Sequence, residues 1–445
     1  MKLVEAVASI VCATLLDPHV LAKARRRKKA FTRNNGKLPF LTMVKLLLAN
    51  SKKTIAATLD GFFKEVSKSA GLSDENNDII ICSQQAFSKA RGGIDHTIFQ
   101  ECFNRVLDFL CSSESHDYQR RLGGLWGIQV IAIDGSKIPL PARKFLLKKY
   151  GGTGGKGDSP TALASIAYDV LNDLVLDAHL EPLNVGERTL AIRHMEAIRD
   201  KNRANLFYTM FVFDRGYASE DMITYIQKNL QSSYLFRLRE KFSIRIDALP
   251  KPDSDQKIVD HSMQLYDGIK VRVLRFYLPG GALETLITND FDHEAALFRK
   301  LYFLRWPCEE EYKLIKIKVG LNCFRGWAEN SVLQEFWIAM LLTNLVNVIR
   351  RETDGIIKCK TGEYDSNRSL KHHYKINKNE TVGALNRYLP DLIDAETSSE
   401  RMHIIKHIFR FIIQNKVINK KGIGESNPRN IPRNVKNHMN VKTTH

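Results

Sequence analysis

The sequence predicts a mixed α/β fold that has a helical region before it and a basic region after it. Apolar residues recur every three or four positions through most of residues 1–115, which is typical of amphipathic helices. Beyond this region, short runs of β-branched and aromatic residues alternate with helical stretches, which is typical of a buried sheet covered by helices. The predicted N-terminal helices are 4–16, 41–49, 54–69, 84–91 and 97–111.

The order of the predicted elements narrows the fold. Two or three consecutive strands come first, then a helix, then a further strand: 129–133, 162–168 and 174–180, the helix 187–200, and the strand 206–213. A second block has a helix at 221–227 and strands at 234–240, 242–246, 269–277 and 283–288. Helices at 297–318 and 333–350 follow. We therefore expect an RNase H-like catalytic core with a β-rich insertion, plus a helical N-terminal region.

Three acidic residues stand in this frame, two before the insertion and one after it. Asp134 and Asp214 each end a run of strand-forming residues, and Glu309 lies in the helical stretch that follows the insertion. Carboxylates on separate elements can converge on two Mg²⁺ ions, which bind hard oxygen ligands. Taken singly, an Asp after a strand is more often a turn or a helix cap, and Arg305 with Glu309 suits a surface ion pair. Together, the three predict a metal-binding triad for phosphodiester chemistry.

The length of the chain indicates several structural units, and its charge indicates the kind of partner it binds. A chain of 445 residues is too long for one small core. The net charge of +18 indicates a polyanionic partner. Ten Lys or Arg against Glu425 place +9 of this charge in the last 45 residues. We divide the chain into a DNA-binding helical region at 1–115, core parts at 116–220 and 291–350 around the insertion at 221–290, and a basic region at 351–445.

Other segments are interpreted by what they lack. The seven cysteines show no zinc-ligand spacing, and thiols of this kind fit the reducing cytosol. Polar residues interrupt the apolar stretch 333–349, which predicts a buried core helix and no membrane span. From 351 onward we expect a polar chain with one amphipathic helix at 403–413. The glycines of 151–157 do not match a phosphate-binding loop, so we expect a flexible loop with Lys156 as a phosphate contact.

The spacing around Glu309 carries a resemblance to a known family. Tyr302, Arg305, Glu309 and Lys316 follow the pattern Tyr, two residues, Arg, three residues, Glu, six residues, Lys. Here the chain resembles the IS4-type insertion-sequence transposases. Matching elements run from about residue 30 to 350 and include Asp-Gly-Ser at 134–136, Gly-Glu-Arg at 186–188, Asp-Arg-Gly-Tyr at 214–217 and Thr-Asn at 288–289. The chain departs from many members at Cys308, and its run Glu309-Glu310-Glu311 makes the ligand ambiguous; the spacing favours Glu309.

The resemblance implies a DDE transposase that acts on the inverted repeats of its element and on target DNA, as a dimer in the DNA complex. Asp134, Asp214 and Glu309 would hold two Mg²⁺ ions, for which Mn²⁺ would substitute. A water molecule would free a 3′-OH, which then attacks the target, with a hairpin on the element end as an intermediate. The DNA contacts we expect are Tyr302, Arg305, Lys316, Arg215 and Lys156, with Trp306 either stacked on a flipped base or in the core. The expected location is the bacterial cytoplasm, at the nucleoid.

Three other functions compete with this prediction. An RNase H-like nuclease would use the same triad but would cut without joining. A non-catalytic DNA-binding protein derived from a transposase would keep the fold and lose the chemistry. A structural nucleic-acid-binding protein would explain the charge and not the triad.

Overall fold

The computed structural model describes residues 1–27, 30–31, 38–49, 55–69, 82–112, 127–155, 157–253, 257–265, 268–361 and 372–419. Its strands are β1 Gln129–Pro139, β2 Gly152–Thr153, β3 Ser159–Asp169, β4 Leu174–Pro182, β5 Thr209–Phe213, β6 Ser233–Arg237, β7 Ile258–Gln264, β8 Lys270–Tyr277, β9 Leu283–Thr288, β10 Tyr374–Lys375 and β11 Val417–Ile418.

Along the chain, helices come before, between and after these strands. They are α1 Lys2–Leu16, α2 Pro18–Ala24, α3 Phe40–Leu48, α4 Ile55–Ser69, α5 Gln84–Arg91, α6 Thr97–Cys111, α7 Lys144–Tyr150, α8 Glu187–Asp200, α9 Glu220–Tyr225, α10 Ile244–Asp247, α11 Ala295–Phe303, α12 Trp306–Lys313, α13 Glu329–Thr361, α14 Lys378–Asp394 and α15 Ser398–Gln414.

The core of the sheet has the strand order β4, β3, β1, β5, β6. Strand β3 pairs antiparallel with both β1 and β4, whereas β1 pairs parallel with β5 and β5 parallel with β6. Parallel neighbours need a crossover, and the chain between β4 and β5 supplies one through α8. Residues 130–133 of β1 are fully buried, so both faces of this strand are covered. This is the RNase H-like arrangement predicted from the sequence, and that prediction is confirmed.

The insertion extends the same sheet instead of forming a separate layer. Strand β6 pairs antiparallel with β9, β9 with β8, and β8 with β7. The chain between the second and third acidic residues therefore adds three strands to the edge that β6 would otherwise expose. The predicted β-rich insertion is confirmed.

Helix α13 is the long apolar helix predicted at 333–350, and it continues to Thr361. By length and composition it could cross a membrane, but 89% of its apolar window is buried inside the protein. Several of its buried polar residues make hydrogen bonds, as most buried polar groups in proteins do. Asn344 accepts from the backbone N–H of Val175 at 2.9 Å and donates to its carbonyl at 3.0 Å, beside a register shift between β3 and β4. The predicted buried core helix is confirmed.

The N-terminal helices join the core through α13. Arg91 at the end of α5 is 3% exposed, and its Nε donates to Oε1 of Gln334 at 2.8 Å. Its Nη2 donates to the carbonyl of Ser331 and to Oε1 of Glu335, both at 2.8 Å. A buried guanidinium with this many acceptors fixes the angle between the two helices, because each lost acceptor would leave a charge without a partner.

Several local predictions were wrong. Residues 242–246, predicted as a strand, contain the short helix α10, because strand propensity is weak against tertiary contacts; Nη1 of Arg275 on β8 bonds the carbonyl of Pro250 and fixes the turn that follows. Strand β1 does not end at Asp134 but runs on to Pro139, since β3 continues to pair with it. The region after residue 351 contains α14 as well as the predicted helix near 403–413.

We expect Arg91→Met to lower the free energy of unfolding by about 3 kcal/mol, because Glu335 then loses its buried guanidinium partner. Urea denaturation of both proteins measures the change. Lys64→Met is the matched control: Lys64 and Asp60 are 59% and 63% exposed, and their ion pair spans 3.0 Å. Exposed pairs of this kind contribute less than about 1 kcal/mol. An equal effect of both substitutions would show that the Arg91 contacts do not hold the helices together.

Candidate active site

Asp134 and Asp214 become neighbours through the parallel pairing of β1 with β5. The register joins Gln129 to Thr209 and Ala132 to Val212, an offset of 80 residues (209 − 129 and 212 − 132). Asp134 and Asp214 differ by the same 80, so the register carried two residues further places them opposite each other. Adjacent strands lie about 4.8 Å apart. The two carboxyl groups therefore meet where β5 ends and β1 continues.

The carboxyl group of Asp134 lies in a partly desolvated and negatively charged setting. Its side chain is 22% exposed, and Oδ1 accepts a hydrogen bond from the N–H of Gly135 at 2.9 Å. Burial raises the pKa of Asp134 to about 6; the charges of Glu187 and Asp214 act in the same direction, while the Gly135 N–H and Arg305 oppose them. An ionised carboxylate held in this way is stabilised by a nearby cation.

Asp214 directly follows β5, where the sequence predicted it. Its Oδ1 accepts from the backbone N–H of Arg215 at 2.7 Å and from the hydroxyl of Tyr302 at 3.3 Å. Burial raises the pKa of Tyr302 to about 12, so the phenol is protonated and donates this hydrogen bond. The side chain of Arg215 is exposed beside the site.

The helical stretch predicted at 297–318 is broken just before Pro307. Helix α11 ends at Phe303, and α12 begins at Trp306 with Pro307 in its first turn, where a missing N–H costs nothing. A π-helical turn, Leu314–Val319, follows α12 and carries Lys316. Tyr302, Arg305, Glu309 and Lys316 thus lie on three short segments and not on one straight helix.

The three consecutive glutamates have three different environments. Glu311 is 1% exposed, and its Oε1 accepts from Nδ2 of Asn347 at 2.5 Å. Glu310 is exposed and pairs with Lys313. Glu309 is 32% exposed and accepts from Nη2 of Arg305 at 2.5 Å. Of the three, Glu309 has the carboxylate that connects to the aspartates, through Arg305.

Arg305 lies between the acidic side chains. Its Nη2 bonds Glu309, and its Nη1 is 3.7 Å from Oδ2 of Asp134. Although burial lowers it, interactions with Tyr302, Asp214 and Glu309 raise the pKa of Arg305 above its ordinary value. The guanidinium therefore supplies positive charge where three carboxyl groups converge.

The residues present fit a divalent cation. Asp134, Asp214 and Glu309 offer hard oxygen donors from three elements, the ligand type that Mg²⁺ and Mn²⁺ prefer. Burial is the main cause of the raised pKa of Asp134, and the charges of Glu187 and Asp214 add to it. Arg305 provides one positive charge for these carboxylates, and divalent ions would provide more.

Other predicted contacts are placed around these acids. Lys316 donates to the hydroxyl of Ser136, two residues beyond Asp134; burial lowers the pKa of Lys316 and Asp134 opposes the shift. Trp306 is 54% exposed, and Nζ of Lys313 lies 5.7 Å from its ring centroid. The alternative that Trp306 is a core residue is therefore wrong. Lys156 and the residues from 420 onward lie outside the described residues.

Helix α12 is fixed to the sheet by Tyr312. The hydroxyl of Tyr312 donates to the carbonyl of Asp134 at 2.7 Å and lies 3.2 Å from the carbonyl of Ala164. Cys308, one helical turn earlier, is fully buried on the same side. The cysteine that departs from the family pattern thus packs in the core. Tyr312 and Glu309 lie on the same helix, α12. Because Tyr312 binds the backbone carbonyl of Asp134, it also fixes the position of Glu309 relative to strand β1.

A second polar cluster lies behind the catalytic strand. Asp177, His179 and His194 bring their donor atoms within 4.8 Å of one another, so they could hold a metal ion. Both ring nitrogens of His194 are already bonded, Nδ1 to Oδ2 of Asp177 at 2.7 Å and Nε2 to the hydroxyl of Ser165 at 2.9 Å. Lys201 Nζ, 3.8 Å from Oδ1 of Asp177, adds positive charge. These contacts favour a hydrogen-bonded anchor between α8 and the sheet.

The structure adds residues that the sequence predictions missed. Arg237 on β6 pairs with Glu284 on β9 at 2.5 Å, and its pKa is raised, against the effect of burial, by Glu284, Tyr302 and Asp214. Glu187 at the start of α8 interacts with Asp134. Arg237 and Glu284 each lie in a strand of mostly apolar residues, and a charged residue in such a strand indicates a possible functional role. The sequence identifies Glu187 only as part of the Gly-Glu-Arg element and assigns it no role.

We expect Asp134→Asn to stabilise the metal-free protein at pH 8 by about 2–3 kcal/mol, from a shift of roughly two pKa units. A carboxyl whose folded pKa lies above its unfolded value costs nothing below about pH 4, costs more as the pH rises, and reaches its full cost above about pH 6. The gain should therefore fall to about half at pH 5. Urea unfolding in EDTA at both pH values measures it. Asp158→Asn, an exposed carboxyl, is the control; a gain independent of pH would contradict the assignment.

Comparison with known proteins places this site in a family. Residues 125–345 match the family described as the transposase DDE domain. Nothing among the curated proteins matches the sequence. Among solved structures, the cryo-EM structure of the piggyBac transposase synaptic complex with hairpin DNA gives a TM-score of 0.46 at 8% identity, covering 94% of this chain and 87% of that chain. That likeness is too low to support an inference. The family match supports the conclusion that residues 125–345 form a DDE transposase domain.

Proposed function

We propose that this protein is the transposase of an IS4-type insertion sequence, which cleaves DNA at the terminal inverted repeats of its element and transfers the freed strands into target DNA. One observation supports this most directly. Four residues of one sequence pattern converge on the aspartate pair: Tyr302 bonds Asp214, Arg305 joins Glu309 to Asp134, and Lys316 bonds Ser136.

The proposed cofactor is Mg²⁺, two ions, with Mn²⁺ as a substitute. Asp134, Asp214 and Glu309 would hold the ions, which when bound supply Lewis-acid activation of the attacking oxygen and charge stabilisation at the leaving oxygen. The protein must present its carboxylates ionised. Since the pKa of Asp134 is about 6 without metal, the site should be ready for cation binding at neutral pH and weaker in acid.

The cationic and aromatic residues act on the DNA strand itself. Arg305 and Lys316 would bind phosphates beside the scissile bond, and Tyr302 would orient them through its hydroxyl. Water is the proposed first nucleophile, and the released 3′-OH is the second. The exposed ring of Trp306 has a face available for an unpaired base, which favours a hairpin intermediate on the element end.

The wider assembly is part of the same proposal. The charge of +18 suits double-stranded DNA, both terminal repeats and target. Residues 1–115 and the basic region 351–445 are candidates for recognising the repeats, and residues 116–350 contain the catalytic core and its insertion. Joining two element ends in one reaction requires two active sites, so we propose a homodimer on DNA. The proposed location is the bacterial cytoplasm, at the nucleoid.

We expect Asp214→Ala and Glu309→Ala to bind a labelled terminal-repeat duplex but to cut it at least about 100-fold more slowly in Mg²⁺, because metal-assisted charge stabilisation is worth several kcal/mol. Glu310→Ala is the matched control, since Glu310 is the next residue on α12, is exposed and pairs with Lys313. Gel analysis of nicked, hairpin and joined products measures each step.

The outcomes separate the competing functions. A wild-type protein that nicks and never joins is an RNase H-like nuclease. One that binds and never cuts in Mg²⁺ or Mn²⁺ is a non-catalytic DNA-binding protein. Equal loss of cutting in the Glu310 control would overturn the choice of Glu309.

We expect Trp306→Ala to leave the first nick unchanged and to reduce hairpin formation about tenfold or more, because stacking one base on an aromatic ring is worth about 1–3 kcal/mol. A fluorescent base analogue at the terminal nucleotide reports unstacking in the complex. Trp327→Ala is a control, because Trp327 is also exposed but lies against Arg143, with the guanidinium carbon 3.9 Å from its ring centroid. Unchanged fluorescence and hairpin yield in Trp306→Ala would rule out the stacking role.

A further inference from the structure

We propose that Glu187 is a fourth acidic ligand of the active site, and that it binds a divalent cation together with Asp134 and Asp214. This inference rests on the proposed function, because it assigns a further residue to the same metal site. It gives a role to the Gly-Glu-Arg element at 186–188, which the proposed mechanism otherwise leaves unused.

The carboxyl group of Glu187 lies over the two glycines that follow the catalytic aspartates. A Cβ atom built on Gly135 would lie 3.0 Å from both Cγ and Oε1 of Glu187. A Cβ atom on Gly216 would lie 3.9 Å from its Oε2. Gly135 adjoins Asp134, and Gly216 is two residues beyond Asp214. The side chain of Glu187 therefore extends over the ends of both strands. It occupies the space that side chains at positions 135 and 216 would otherwise fill.

The backbone around Glu187 is held in place by its neighbours. Gly186 has φ of +79°, a conformation that glycine adopts freely, and it turns the chain into α8. Nε of Arg188 donates to the carbonyl of Gly216 at 3.2 Å, and Nη2 donates to the carbonyl of Ala218 at 3.1 Å. Arg188 thus ties the start of α8 to the loop after Asp214. The side chain of Glu187 is presented to the site by its neighbours on both sides.

Glu187 also has a charge without a counter-ion. In the part of the chain that the structure describes, no cation forms an ion pair with it. Glu187 lies in the first turn of the helix Glu187–Asp200, where the partial positive charge of a helix N-terminus interacts favourably with an acidic side chain. An ionised carboxylate beside Asp134 raises the repulsion within the cluster. A divalent cation bound between them would remove that repulsion.

A buried hydroxyl points independently to a missing ligand. Tyr217 is 1% exposed, and its Oη has no hydrogen-bond partner among the described residues. The hydroxyl interacts electrostatically with the carboxyl groups of Asp134 and Glu187. A buried donor without a hydrogen-bond partner destabilises the fold. A ligand oxygen bound at this cluster would accept the hydrogen bond.

The charge balance agrees with a fourth acid. Asp134, Asp214, Glu309 and Glu187 carry four negative charges when ionised, which matches two divalent cations. Three acids would leave such a pair of ions with one positive charge in excess before DNA binds. With four, Arg305 is no longer needed as a counter-ion and is released for a phosphate.

Mn²⁺ binding to the full-length protein on a pre-cleaved terminal-repeat duplex tests this proposal, with free Mn²⁺ followed by electron paramagnetic resonance. We expect two ions for the wild type and for Glu310→Gln. Glu187→Gln should weaken one of the two ions at least tenfold, and Asp134→Asn should weaken both. Glu187→Asp, which keeps the charge and withdraws the carboxylate by one methylene, should give an intermediate affinity. Equal binding by Glu187→Gln and Glu310→Gln would overturn the proposal.

A second readout does not depend on how well the variants fold. Fe²⁺ in place of Mn²⁺, with ascorbate and peroxide, cuts the backbone next to the bound ion. We expect cleavage near residues 186–188 in addition to cleavage near 134 and 214, and cuts at 134 and 214 alone would count against Glu187. If the wild type binds no Mn²⁺ at all, the metal-dependent function itself fails, and the Glu187 proposal fails with it.

Discussion

The in-register parallel pairing of β1 with β5 is the constraint on which the site depends. Side chains alternate between the two faces of a strand, so a slip of one residue would send one aspartate to the opposite face. The register is fixed by residues 130–133 and 210–213, all fully buried, because a slip would also exchange the faces that they pack against. The apolar core and the placement of Asp134 beside Asp214 are therefore specified by the same eight residues.

Other contacts in the fold fix the position of Glu309 relative to Asp134 and Asp214. Tyr312 ties α12 to the backbone of Asp134, and Glu311 ties the same helix to Asn347 on α13. On the other face of the strand, His194 connects α8 to Ser165, whose hydroxyl donates to the carbonyl of Asp134 at 3.2 Å. The carbonyl of one catalytic residue thus accepts hydrogen bonds from two different elements. Buried polar groups serve here as positioning devices, at the desolvation cost that burial imposes.

Much of this arrangement could be predicted from local patterns. The strand order follows from the alternation of elements, and the break at Pro307 follows from the missing N–H. The length of β1 could not be predicted, because it depends on how far β3 pairs beyond Asp134. Helix α10 and the exposure of Trp306 depend likewise on distant contacts. Glu187 was beyond reach for the same reason: its relation to Asp134 exists only once α8 crosses over the sheet and Arg188 binds the loop after Asp214.

The position of Arg305 has a thermodynamic consequence. Its guanidinium bonds Glu309 and lies beside Asp134, so a cation bound as proposed would compete with arginine for the same carboxylates. Entry of a cation would free the guanidinium to bind a phosphate, and a phosphate that captured the guanidinium would vacate the carboxylates for a cation. Linkage requires these effects to be equal and reciprocal in free energy. A single side chain can thereby make metal and DNA bind cooperatively, and keep the metal site closed until its substrate arrives.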